Sequence, residues 1–340
     1  MAAQARAGVL AHFFEVIQEH GLDPAPLLRE AGLSRDMLSD PDGRIPLAGA
    51  MTLLERGAEL SGCRSLGLLM TERRQPADFG PVGLLLQHQA TLRDSLEMLQ
   101  RYEHLLNDSL AIHLTEREGV AVIQEELVSG RPGSARQSTE LAMGVLFRLC
   151  GAVLGPNWRP LEVRFVHAEP PELRVHHRLF RCPLVFGAEF NGFVVDVADL
   201  DRQNPGADDQ MARYARRYLD SMPASRGGGV EQQVRNALYI LLPAGRGGLD
   251  PVAASLGFNG RTLQRRLDMA GLTFGALLDD VRAELAERYL RNGAYPIGEI
   301  ADLLGYASAS AFTRWFGARF GVPPGAFRRE GRAPPVSRDQ

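Results

Sequence analysis

The strongest constraint on this chain is a segment that occurs twice. Leu249-Asp-Pro-Val-Ala-Ala-Ser-Leu-Gly-Phe258 matches Ile297-Gly-Glu-Ile-Ala-Asp-Leu-Leu-Gly-Tyr306 at an offset of 48 residues. Both copies end in Leu-Gly-aromatic, and both place an alanine four residues before the glycine: Ala253 before Gly257, Ala301 before Gly305. Beyond the turn, Leu263-Gln-Arg-Arg-Leu267 matches Phe312-Thr-Arg-Trp-Phe316 at an offset of 49, so one turn is a residue longer. A small residue on a first helix lets a second helix cross it closely, and glycine permits positive φ in the turn, so the pattern predicts two helix-turn-helix units.

Helical angles then say which way the second helix of each unit faces. At about 100° per residue, Leu263 and Leu267 point within about 40° of each other, and Arg265 lies about 180° from their mean. Arg261 lies about 140° round. In the second copy Phe312 and Phe316 define the core side, leaving Arg314 opposite and Ser310 about 140° away. An outward arginine suits bidentate contact to guanine or contact to phosphate. Either copy alone also reads as an ordinary helical hairpin with solvated arginines. Two copies in register, joined by a predicted helix over 274–291 about 27 Å long, suit successive major-groove segments about 34 Å apart.

Charge is distributed to match. The 340-residue chain has a formal net charge of -3, which argues against indiscriminate binding to nucleic acid. Residues 230–340 nevertheless carry 14 Arg against 11 acidic residues, and the stretches 257–267 and 306–329 contain Arg and no acid. Segregated charge of this kind binds phosphate locally. All 38 basic residues are Arg, which a GC-rich coding bias explains without any functional cause.

Pro223-Ala-Ser-Arg-Gly-Gly-Gly229 combines a helix breaker with flexible residues and marks a linker of 223–229, spanning about 15 Å as coil. The expected organisation is a first domain over 1–222, that linker, a DNA-binding domain over 230–330 and a disordered tail over 331–340. The fold class follows: an α+β N-terminal domain, then an all-α C-terminal domain with two helix-turn-helix motifs joined by a linker helix. In the first domain helical spacing appears over 9–17, 46–59, 83–89, 91–106, 136–153 and 207–222, with Thr91 as an N-cap. Period-two alternation in 110–114 and 120–124 predicts a hairpin broken at Glu118-Gly119, with short strands near 161–166, 184–186 and 192–195.

Other functions are weighed by their residues. No stretch approaches the ~20 apolar residues of a membrane span, and His12 and Glu15 interrupt the N-terminal apolar run, so the expected location is the cytoplasm. Cys63, Cys150 and Cys182 are odd in number and far apart, giving no disulfide framework or CxxC knuckle. His167, His176, His177, Glu169 and Glu172 raise a metal site, but adjacent residues of a regular element point apart and no HExxH accompanies them. No metal or other cofactor is expected. His113 reads as a core or pocket-edge residue rather than a ligand, and Trp158 as core rather than part of a cofactor box. No GxSxG elbow, Walker A or dinucleotide fingerprint occurs, so no catalytic residue is assigned and the chain is read as a non-enzyme. The alternatives kept open are an architectural DNA-binding protein without an effector, and an alkyl-repair protein using Cys182 beside Arg181.

With those residues in hand, 231–330 resembles the DNA-binding domain of the AraC/XylS family of bacterial transcription regulators. The resemblance rests on the two repeats, on Arg261-Thr-Leu-Gln-Arg-Arg-Leu267, Arg282, Ala286 and Leu290 between them, and on Pro323-Pro324 and Phe327-Arg328 after them. It implies that helices near 260–269 and 308–319 enter the major groove, with Asn259, Arg261, Thr262, Gln264 and Arg265 facing DNA in the first copy. Ser308, Ser310, Thr313 and Arg314 do so in the second. Phe258-Asn259 departs from the family's more usual Met-Ser, and Ala309 and Ala311 leave the second helix short of base-reading side chains. Readout is therefore expected mainly from the first copy. Gly80-Pro-Val-Gly83, Tyr102, Asn107, Val163-Arg-Phe-Val-His167, Phe180-Arg-Cys-Pro183 and Phe186 are similar to the arabinose-binding-type N-terminal domain of such regulators. That similarity implies effector binding, dimerisation or both for 1–222, with the effector and its pocket residues unknown. The family resemblance as a whole implies double-stranded promoter DNA, RNA polymerase and a second copy in a homodimer as partners, a small molecule as effector, and activation as the outcome.

Overall fold

The computed structural model describes residues 3–128, 135–222, 229–293 and 295–332, which fall into two compact units divided between Gly229 and Val230. Of the expected linker only Gly229 is among the described residues, and the expected tail lies outside them from 333 on.

The first unit opens with β1 (Gln4–Arg6), α1 (Phe13–Glu19), α2 (Pro24–Glu30), β2 (Arg44–Pro46), α3 (Leu47–Ser61), α4 (Leu66–Arg73), α5 (Gly80–Gln87) and α6 (Leu92–Leu106). There follow β3 (Leu110–Arg117), β4 (Val120–Leu127), α7 (Arg136–Leu154), β5 (Glu162–Phe165), α8 (Arg174–Phe180), β6 (Leu184–Phe186), β7 (Asn191–Asp196), α9 (Val197–Leu200) and α10 (Asp209–Ser221). Thr91 caps α6 by accepting from the Asp94 N–H at 3.1 Å, as its sequence position implies. The opening helix is shorter than the expected 9–17. His12 takes left-handed φ of 69°, so 7–10 forms a separate tight turn and α1 begins at Phe13.

Strand order is β3-β4-β7-β5-β6, antiparallel except for the β5/β6 pair. On β4, alternation puts Ala121, Ile123 and Glu125 on a buried face, with Ile123 opposite Leu114 and Phe193. The apolar residues of that face share one core with α7, through Met143, Leu146, Phe147 and Cys150, and with Trp158, whose indole donates to Asp199. A second core gathers Phe13, Ile17, Ile45, Leu53 and Leu66 under the β1–β2 ribbon. Glu125 is the exception on the buried face. Burial and the neighbouring Glu126 raise its carboxyl to about 8.

The second unit is all helix: α11 (Val230–Leu241), α12 (Leu249–Ser255), α13 (Gly260–Met269), α14 (Phe274–Asn292), α15 (Ile297–Leu303), α16 (Ala309–Phe320) and α17 (Pro324–Arg332). The last helix runs two residues past the expected boundary at 330. α14 is the spine, with Val281, Leu285, Ala286 and Leu290 fully buried. Glu284 on α14 accepts from Tyr239 and Arg235 of α11. Arg319 of α16 pairs with Asp280 at 2.6 Å. Arg282 donates from Nε to the Leu304 carbonyl at 2.9 Å, and its guanidinium lies 4.7 Å from the centroid of the Tyr306 ring.

Two predictions follow from these contacts. Because Glu125 has a folded pKa above its unfolded value of ~4.3, its stabilising contribution is complete at low pH and fades as pH rises through about 8. Urea unfolding at pH 5, 7 and 9 should show wild type losing stability over this window and Glu125→Gln losing less; parallel profiles would refute the assignment. Arg282→Ala should cost ~1.5–3 kcal/mol through its charged hydrogen bond. Arg319→Ala, which breaks a half-exposed pair, should cost ~0–1 kcal/mol. Equal losses on thermal unfolding would contradict the ranking.

Candidate nucleic-acid interface

The duplicated sequence folds into duplicated geometry. In the first helix pair Gly257 turns the chain at φ 73° and Phe258 N–H donates to the Ala253 carbonyl at 2.8 Å. In the second, Gly305 turns at φ 69° and Tyr306 N–H donates to the Ala301 carbonyl at 2.9 Å. A β-carbon would be strained in that left-handed backbone, which is why glycine stands at both turns. Ala253 and Ala301 are fully buried where the helices cross. The next helix is capped from the equivalent position each time: Asn259 Oδ1 accepts from Thr262 N–H at 2.8 Å, and Ser308 Oγ from Ala311 N–H at 3.2 Å.

Burial then separates the two sides of α13 and α16. Leu263, Leu267, Phe312 and Phe316 are fully buried, and Arg261, Gln264, Arg265, Ser310 and Arg314 are exposed without a partner among the described residues. The angular reading of these helices therefore holds. Three other candidates carry local duties. Asn259 and Ser308 are caps, and Thr313 donates its hydroxyl to the Ala309 carbonyl at 2.8 Å. Thr262 is half-buried and offers its N–H to the Asn259 cap. Arg266, also exposed, is stacked 4.1 Å from the Phe258 ring centroid and so braces the turn of the first pair. Sequence reading singled out neither Arg266 nor Arg282 for a role, because both act through aromatic rings and carbonyls brought close only by folding.

In the first unit a cavity of about 110 Å³ opens among α3, α5, α6, α7 and the β3–β4 hairpin. That volume is well above the ~10–15 Å³ that admits one water on the same measure. No sequence signal pointed to it, since its walls come from segments scattered between Arg6 and Leu149.

The histidine cluster sorts differently from the sequence grouping. His176 is fully buried, with Nε2 3.2 Å from Glu140 Oε1, and His167 Nε2 lies 3.6 Å from the same oxygen. His177, Glu169 and Glu172 are exposed. Among the described residues no group of three His, Cys, Asp or Glu is arranged to hold a metal ion. Cys182 is no activated nucleophile: burial pushes its thiol up to about 11 despite Arg181 next in sequence, and Arg181 Nε donates instead to the Arg178 carbonyl at 3.2 Å. Burial likewise pushes Cys150 up to about 12. Among the described residues no helix is long and apolar enough to cross a membrane.

Comparison with known proteins agrees with this division. Residues 21–204 match the family described as the arabinose-binding domain of AraC transcription regulator, N-terminal, and 252–330 match a family described as a helix-turn-helix domain. The chain is 30% identical over 329 residues to the HTH-type transcriptional regulator VirS of Mycobacterium tuberculosis, covering 96% of each protein. It is 25% identical over 320 residues to the Ornithine utilization regulator of Pseudomonas aeruginosa, covering 92% of this chain and 93% of that one. A shorter stretch of 82 residues is 33% identical to the transcriptional activator NphR of Rhodococcus sp, 24% of each chain. With more than half of its length matched by the arabinose-binding domain family and a relative 30% identical over nearly its whole length, this chain belongs to the AraC family of HTH-type transcription regulators.

Proposed function

We propose that this protein activates transcription by gripping one face of a promoter with both helix pairs, under control of a small molecule bound by residues 1–222. The observation that carries the reading is duplication: each outward helix presents an unpartnered arginine, Arg265 or Arg314, directly across from two buried anchors. Arg261, Gln264 and Arg265 supply most base contacts. The Asn259 and Ser308 caps and the neighbouring Thr262 and Thr313 lie at the phosphate backbone, where helix N-termini and hydroxyls are effective donors. Ser310 and Arg314 set register in the second groove, because Ala309 and Ala311 offer a base edge no hydrogen bond.

The domain roles follow. Residues 1–222 bind the effector and carry the homodimer contact, 223–229 tether, and 230–330 bind double-stranded DNA in the cytoplasm beside RNA polymerase. Activation is favoured by the likeness to NphR, itself a transcriptional activator. The cavity in the first unit favours effector control over a purely architectural role, since bending DNA requires no internal cavity.

Sites selected from random duplex DNA provide the test. Arg265→Ala should cost ~1–3 kcal/mol on the selected site and relax base preference near it. Arg314→Ala should weaken all sequences alike and lower the salt slope by ~1. Sequence-independent losses of equal size from both variants would overturn the division of labour. A reporter driven by the selected site should rise with the regulator present and vary with the carbon source; output that is constant under every condition would overturn effector control.

A further inference from the structure

The cavity of the first unit has walls of a particular chemistry. All but six of its lining residues are apolar, chiefly leucine and valine from α3, α5, α6 and α7. The polar six are Arg6, Arg74, Asp78, Asn107, Glu125 and Ser138. Three of them are already engaged by the protein. Arg6 donates to Asp42 at 2.6 Å and to the Asp78 carbonyl at 2.7 Å. Asp78 accepts from Gln75 N–H at 2.7 Å and lies 3.0 Å from His12 Nε2. Asn107 accepts from Ser109 N–H at 2.9 Å.

What remains is a short inventory. Arg74 is only 2% exposed, its two terminal nitrogens donate to the Gly8 and Val9 carbonyls, and its Nε has no partner among the described residues. Burial lowers it only to about 10, so it is charged at neutral pH, and Asp78 acts on it from beyond ion-pair distance. A buried guanidinium with no carboxylate in contact lacks the counter-ion that normally accompanies such a group. Ser138 Oγ is buried without a partner among the described residues, and the Glu125 carboxyl, raised to about 8, is mostly protonated at pH 7 and adds little negative charge to the wall.

We infer that this cavity binds an aliphatic molecule ending in one carboxylate, with the head at Arg74 and the chain along the leucine wall, and that it does not accept a sugar. The inference rests on the reading of residues 1–222 as the effector domain. A pentose carries a hydroxyl on nearly every carbon, and each one buried without a partner opposes binding. The free polar groups here are too few to serve them. An aliphatic chain needs only apolar wall, and its carboxylate supplies the acceptor and the charge that Arg74 lacks. Met51, Phe79, Ala142 and Val145 are among the lining residues that are half-buried.

Calorimetry and thermal shift on the full chain, with decanoate, decanol and L-arabinose below any micelle-forming concentration, test this. Decanoate should bind saturably and raise Tm, decanol should bind at least about tenfold more weakly, and arabinose should not bind. Ala142→Phe, which extends a side chain into the free volume, should abolish decanoate binding while the protein stays folded. Arg74→Gln should weaken decanoate about tenfold or more and leave decanol unchanged; should that variant fail to fold, the decanoate-to-decanol ratio on wild type decides the role of charge. Decanol binding as well as decanoate overturns the carboxylate assignment, and decanoate binding undiminished in Ala142→Phe identifies surface adsorption and overturns the site. Arabinose binding lost in Ala142→Phe overturns the proposal and leaves effector control standing. No saturable binding by any probe also overturns it, while effector control stands or falls on the reporter.

Discussion

The C-terminal unit depends on one steric arrangement used twice. A glycine at positive φ reverses the chain, the next N–H closes onto the carbonyl of an alanine fully buried at the helix crossing, and a polar cap starts the following helix. With the entry point and direction of the second helix fixed, leucine or phenylalanine pairs four apart determine its rotation about its own axis. Arginine exposure is then a consequence. Nothing needs to push Arg265 or Arg314 outward, because the anchors on the opposite face are held at zero exposure.

Each helix pair is also held by a cation over an aromatic ring, though in different ways. Arg266 covers Phe258 from within the first pair, whereas Arg282 reaches from α14 to the Tyr306 ring and the Leu304 carbonyl of the second. The second pair is thus fastened directly to the spine helix. Its more aromatic core, with Phe316 in contact with Phe312, Phe320 and Phe327, is matched by a less polar outward face.

The N-terminal unit uses different physics. Its larger core is a helix-covered sheet, yet the space among α3, α5, α6 and α7 is not filled, and three of the six polar residues lining it are engaged by other parts of the protein. Well-packed interiors leave few voids larger than a water molecule, so an unfilled apolar space beside a charged, incompletely partnered guanidinium is unusual. A ligand that completes both the packing and the charge binds the folded state and would stabilise it by mass action.

Local pattern alone determined a good deal of this protein. The repeats, the α13 and α16 faces, the Thr91 cap and the β3–β4 hairpin were legible because each is set by residues within a few positions of one another. Folding decided the rest. The β1–β2 ribbon and helices α2, α4 and α8 are too short to show a period, and the strand order pairs β4 with β7, which lie far apart in sequence. Glu140, absent from the sequence grouping of His167 and His176, meets them only across the fold. The cavity was illegible for the same reason: its lining is drawn from points more than a hundred residues apart, and only long-range packing brings them face to face.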